Sequence, residues 1–237
     1  MRFRKPLAIA VVAGALLPAA ARPELAVSGV DGELERNVLA FVALDDEPCD
    51  AEDWLIRRRF RALQEQAQKA LEPFGFYDPT ISTQLEFAGS CWQASLSIEP
   101  GEPVRYREVD IRISGDALDD PVFRDLPGRN ALQPGKVLRH ADYENLKRRL
   151  QTLAADRGYI EARFEASQLD VWPTDGAVDV RLHFDSGPRY RFGEIRIEQS
   201  FVNPAIARGY IDLEPGTLYD GAALAEAHRD LAESMYF

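Results

Sequence analysis

The sequence predicts an α+β chain of tandem β-α-α-β-β units, the third of them incomplete. Three observations lead there. Residues 159–199 repeat, in order and with similar spacing, what residues 76–113 set out. Gly75-Phe76-Tyr77 opens one copy and Gly158-Tyr159-Ile160 the other, each ahead of two alternating runs: Thr80–Phe87 with Trp92–Ile98, and Glu161–Val171 with Val178–Phe184. Both copies then turn on glycine and proline, Gly101-Glu102-Pro103 leading into Arg105–Ile111 and Gly187-Pro188 into Arg191–Ile197, an offset of 86 residues. Self-similarity at a fixed period marks a repeated supersecondary unit, and alternation at period two marks a half-buried strand.

The duplication runs through the helical parts. Leu132-Gln133-Pro134-Gly135 precedes a helix-like stretch ending near Gly158, and Leu213-Glu214-Pro215-Gly216 precedes a similar one ending in Ser234–Phe237. With the helix that ends at Gly75, this makes three copies. Tyr236-Phe237 fall where the earlier copies enter their hairpins, so the third unit is expected to be incomplete and the chain to be the N-terminal part of something longer.

At the N-terminus, Arg2, Arg4 and Lys5 precede an apolar run from Leu7 to Leu17 and the small residues Ala19–Ala21. This reads as a secretory signal peptide over residues 1–21, because eleven apolar residues fall short of the roughly 20 needed to span a bilayer. Its removal leaves 25 Lys and Arg against 39 Asp and Glu, a formal charge of −14. So acidic a chain is not a general nucleic-acid binder. The expected units are residues 22–102, 103–187 and 188–237, each close to the lower size limit for an independent core.

In the first unit, Leu25–Val30 reads as a strand. Asp31 or Gly32 then caps a helix through Leu44, and Asp53 caps a longer one whose apolar stripe includes Trp54, Leu55, Phe60, Leu63, Ala67 and Leu71. Pro73 and Gly75 end it, and two strands follow. The second unit repeats the order: Val109–Ile113 as a strand, Pro121–Leu126 as a short helix, a longer helix from Ala141, and strands Tyr159–Val171 and Ala177–Phe184 joined through Pro173-Thr174-Asp175-Gly176. In the third, Glu194–Glu198 reads as a strand, with helices near 203–208 and 220–233. Three strands covered on one face by helices leave the other face open and an edge strand accessible. Connections of a few residues between units imply a stiff string.

Cys49 and Cys91 are the only cysteines, and in an exported chain their pairing is the default against two free thiols. A bridge closes a loop of about 40 residues and contributes about 3–4 kcal/mol in the chain-entropy account. No enzymatic constellation is present: the Gly128–Lys136 stretch lacks the spacing and the Ser or Thr of a phosphate loop, no nucleophile elbow appears, and Asp45-Asp46 and Asp119-Asp120 sit at turn and cap positions. His140, His183 and His228 show no ligand spacing, so neither metal nor cofactor is expected. The basic run Arg57-Arg58-Arg59-Phe60-Arg61 reads as a solvated helix face paired with Glu52, Asp53 and Glu65, the sharper alternative being contact with anionic headgroups or an acidic partner. Phe74, Phe76 and Tyr77 read as core where helix meets strand.

A signal peptide followed by such units, each with a Gly-aromatic step from helix towards strand and a glycine-proline turn into the next, resembles POTRA domains. Three directly after the signal resemble the periplasmic region of the TamA family, the outer-membrane subunits of the translocation and assembly module. The first unit carries the most specific likeness, in Ser28–Val38, in Ala70-Leu71 leading to Gly75–Ile81, and in Pro100–Val104. The resemblance implies an outer-membrane β-barrel beyond this chain and a periplasmic location. It also implies unfolded outer-membrane client proteins such as autotransporters, and a TamB-like inner-membrane partner. The family's edge strand would fall on Thr80, Ser82 and Gln84 and on Glu161, Ala162 and Arg163, the expected client-binding positions. The alternatives are the POTRA region of another barrel-assembly or two-partner secretion transporter, and a free-standing periplasmic protein-binding module.

Overall fold

A computed structural model describes residues 23–88, 91–128, 130–199 and 202–234. The expected signal peptide lies outside them. The first unit comprises β1 (Glu24–Ser28), α1 (Gly32–Phe41), α2 (Asp53–Leu71), β2 (Thr80–Ala88) and β3 (Cys91–Glu99). Its sheet has the order β1-β3-β2, β1 parallel to β3 and β2 antiparallel. The order follows from alternation: Trp92, Ala94, Leu96 and Ile98 of β3 all face inward and are buried against Val38 of α1 and Ile56, Leu63, Ala67 and Leu71 of α2. Asp31 occupies the N-cap position of α1 without a side-chain cap bond, and Glu52, not Asp53, precedes α2.

The loop between the helices is fastened to the start of β3 at two points. Cys49 and Cys91 form a disulfide, and the Trp92 indole N–H is shared between the carbonyls of Glu47 and Pro48 at 3.2 and 3.3 Å.

The second unit comprises β4 (Arg105–Ser114), α3 (Pro121–Arg124), α4 (His140–Asp156), β5 (Arg163–Trp172) and β6 (Ala177–Asp185), with the corresponding order β4-β6-β5. Val178, Val180, Leu182 and Phe184 of β6 are buried under Phe123, Leu146 and Leu150. The Phe123 ring stacks on Phe184 and meets Tyr159 edge-on. The strand expected from Tyr159 begins instead at Arg163. Tyr159 is spent on the core: its ring is buried and its hydroxyl donates to the Asp120 carboxylate at 3.2 Å. The chain then needs residues 160–162 to turn before it can extend.

The third unit contributes α5 (Pro204–Gly209) and α6 (Gly221–Glu233). Glu194–Glu198, expected as a strand, is not one. Among the described residues this segment has no ladder partner, and only the single bridge Arg191–Leu218 precedes it. Alternating polarity supplies a face for a strand but not the neighbour that makes one.

Candidate functional site

Each three-stranded sheet presents one face to its helices and the other to solvent. Each sheet has two outer strands, β1 and β2 in the first and β4 and β5 in the second; β2 and β5, which follow the Gly-aromatic steps, are the ones expected to accept an added strand. They differ. All nine residues of β2 pair with β3 without interruption, Thr80 with Glu99 through Ala88 with Cys91. Thr80, Ser82 and Gln84 are exposed on its open face, while Ile81, Thr83 and Leu85 alternate half-buried on the other. Gln84 and Glu86 line a shallow hollow of about 290 Å³ together with Glu24, Gln93 and Ser95. Among the described residues no ion pair crosses this face.

β5 is a poorer edge. Its register shifts between Phe164 and Ala166, a bulge that breaks the regular spacing a new strand would read. Charge on the open face of this sheet is paired between β4 and β6 and at the start of β5. Arg107 forks onto Asp179, His183 and Arg112 both hold Asp110 at 2.9 and 2.8 Å, and Arg163 reaches Asp185 at 2.7 Å. The Arg107 guanidinium holds the Asp179 carboxyl below the usual range. Of the three positions expected here, only Arg163 lies in the strand. Glu161 sits in the preceding turn and accepts from the Tyr190 hydroxyl at 2.5 Å. The Ala162 N–H is used by the Tyr159 carbonyl at 3.2 Å, so neither residue offers a free edge.

The junctions between units form a second constellation, built twice from the same backbone bonds. At the first, the Val104 N–H donates to the Gly75 carbonyl at 2.9 Å. Leu138 and Val104 then pair, and Tyr106 pairs with Lys136 and Gly135. At the second, Tyr190 N–H donates to Gly158 at 2.8 Å, Tyr219 to Tyr190, and Phe192 pairs with Thr217 and Gly216. Arg105 Nη1 donates to the Gly135 carbonyl and Arg191 Nη1 to that of Gly216, at 3.0 and 2.8 Å. Gly75 and Gly158 both have left-handed backbones. A Cβ there would lie 2.9 Å from the Leu138 carbonyl oxygen and 2.6 Å from Tyr219 Cβ, respectively. The first junction carries side-chain contacts as well: Tyr77 Oη to His140 Nε2 at 2.6 Å, and Arg139 to Glu33 at 2.6 Å with its guanidinium over Phe74.

Residues 24–100 match the family model for POTRA domain 1 of TamA, and residues 106–187 match the POTRA model described as a surface antigen variable number repeat. The chain belongs to the POTRA-domain family. Its first unit is similar to the first POTRA domain of TamA. Among solved structures it is similar to POTRA3-5 of Haemophilus influenzae BamA, at 16% identity over 94% of this chain and 90% of that one, with a TM-score of 0.47. It is also similar to POTRA1-3 of Omp85 from Anabaena (18% identity, 91% and 85% covered, TM-score 0.33). A third is the N-terminal domain of Omp85 from Thermosynechococcus elongatus (19% identity, 90% and 85% covered, TM-score 0.35). The family rests on the two domain matches.

No helix among the described residues is long and apolar enough to cross a membrane, and no group of three or more His, Cys, Asp or Glu side chains there is placed to hold a metal. The junctions are what sequence reasoning missed. Their signal was in view as the repeated Leu132–Gly135 and Leu213–Gly216, which supply the turn that both linkers pair against. Tyr77, read as a core residue of its own unit, packs instead against the core of the next.

Proposed function

We propose that this chain is the periplasmic scaffold region of a TamA-type assembly factor, exported by its N-terminal signal, with residues from about 188 onward forming part of a third POTRA unit. In this reading it guides unfolded outer-membrane proteins, autotransporters among them, to a β-barrel insertase, with a TamB-like protein as its inner-membrane partner. Clients add a strand to the free edge of β2. The observation that carries the reading is that edge: nine residues in unbroken register, polar on the open face and half-apolar towards α2. An extended segment of alternating polarity fits it, its main chain pairing with β2 and its apolar side chains meeting Ile81 and Leu85. The TamA assignment is supported by the match of residues 24–100 to the first TamA domain.

Photo-crosslinking tests the edge. A crosslinker placed in turn at Ser82, Gln84, Gln168 and Gln64 samples β2, β5 and the exposed side of α2. Capture of an unfolded outer-membrane protein from Ser82 and Gln84 is expected, and capture only from Gln64 or Gln168 refutes strand addition at β2. Proline placed at Ser82 and, separately, at Thr83 sharpens the result. Successive residues send their N–H groups to opposite sides of a strand, so one variant loses a ladder bond to β3 and the other loses only the outward donor. The latter should fold and fail to capture.

A further inference from the structure

The basic run of α2 does not behave as an ordinary solvated face. Arg59 pairs with Glu47 at 3.0 Å, and Glu65 pairs with Lys69 rather than with an arginine. No carboxylate of the described residues lies within ion-pair distance of Arg57, Arg58 or Arg61. The partners expected from the sequence, Glu52, Asp53 and Glu65, are therefore not taken. At 100° per residue, Trp54, Arg58 and Arg61 fall on one ridge, opposite the buried Ile56, Leu63 and Ala67, and Glu52 and Asp53 fall well to either side of Arg58. Trp54 is 61% exposed at the head of that ridge. Arg57 flanks it, its guanidinium 4.8 Å above the ring of Phe87, which is itself exposed at the end of β2.

We propose that this Trp54–Arg58–Arg61 ridge seats the first POTRA unit on a bilayer bearing anionic phospholipid headgroups. Guanidinium forks match phosphate oxygens and shed water more readily than ammonium groups do. Indole places an apolar ring and an N–H at the level of the headgroups. Acidic protein would satisfy the arginines but gives no reason for a large aromatic ring held in water beside them. The rest of the chain is strongly acidic, which repels such a membrane everywhere else and makes the orientation unique. Phe87 joins the ridge to the far end of β2, so a seated unit would hold its client edge close to the bilayer.

The test uses the chain from residue 22 with vesicles of phosphatidylcholine alone and of phosphatidylcholine mixed with phosphatidylglycerol. Sedimentation with the mixed vesicles only, abolished by high salt, is expected. Reversing both charges (R58E with R61E) should weaken it about tenfold or more, and Trp54→Ala about threefold. Unchanged circular dichroism and an intact disulfide show that the variants remain folded. Equal binding by wild type and the double variant, binding to phosphatidylcholine alone, or no binding to either vesicle overturns the proposal. So does complete competition by poly-glutamate at low salt, which would assign the ridge to an acidic polypeptide.

Discussion

Tyr77 of the first POTRA unit and His140 of the second meet at 2.6 Å across 63 residues of sequence. Burial pushes the tyrosine hydroxyl up to about 12, so it stays protonated. Burial lowers the His140 pKa from 6.5 against the opposing pull of Glu72 and Glu144. A native pKa below the unfolded one means that the contribution of this contact is complete above pH 6.5. It is lost as pH falls below 6.5 through the lowered value. Spin labels on the two units should report one sharp distance at pH 7.5 and a distribution that broadens as pH falls through the lowered His140 value. His140→Phe should remove that pH dependence.

Gly158→Ala forces a Cβ into Tyr219 at a positive φ, and should loosen the second junction by about 1–3 kcal/mol. The first POTRA core should keep its unfolding midpoint, while the second, whose α4 ends just before the buried Gly158, should lose part of its stability to the positive φ. Small-angle scattering should show a wider spread of shapes.

Replacing Cys49 and Cys91 by serine removes a cross-link spanning 42 residues. The first POTRA unit should lose about 3–4 kcal/mol in urea unfolding. The second should be unaffected, so a single transition should become two.

Asp120 caps α3 through the Val122 N–H and holds Arg157 at 2.6 Å and Tyr159 at 3.2 Å from a buried position. Burial pushes its pKa up, but the Arg157 hydrogen bond and the other donors outweigh this and leave it below the ordinary 3.8. Its contribution is therefore present above that value and lost as pH falls through the lowered one. Asp120→Asn should cost about 2–4 kcal/mol at neutral pH. The difference from wild type should shrink below pH 3.8, as thermal melts across pH would report.

The repeat, the element order and the disulfide were legible because each leaves a mark in one dimension: a period, an alternation, a pair of cysteines. What depends on a neighbour was not. Glu194–Glu198 alternates as well as Val109–Ile113 does, yet only the latter finds a ladder, against β6. The bulge after Phe164 arises from pairing and has no sequence sign such as a glycine. Glu161 and Ala162 read as an edge because the aromatic Tyr159 looked like the start of a strand, whereas its hydroxyl is committed to Asp120. Thr80, Ser82 and Gln84 read correctly as strand residues because β2 begins directly after the turn at Asp78-Pro79.

Hydrogen exchange on the chain, with and without an unfolded outer-membrane protein segment, tests strand addition most directly. The account predicts slowed exchange at alternate amides of residues 80–88, those whose N–H groups point away from β3, with residues 163–172 unchanged. Protection gained only in α2, only in β5, or nowhere would contradict it.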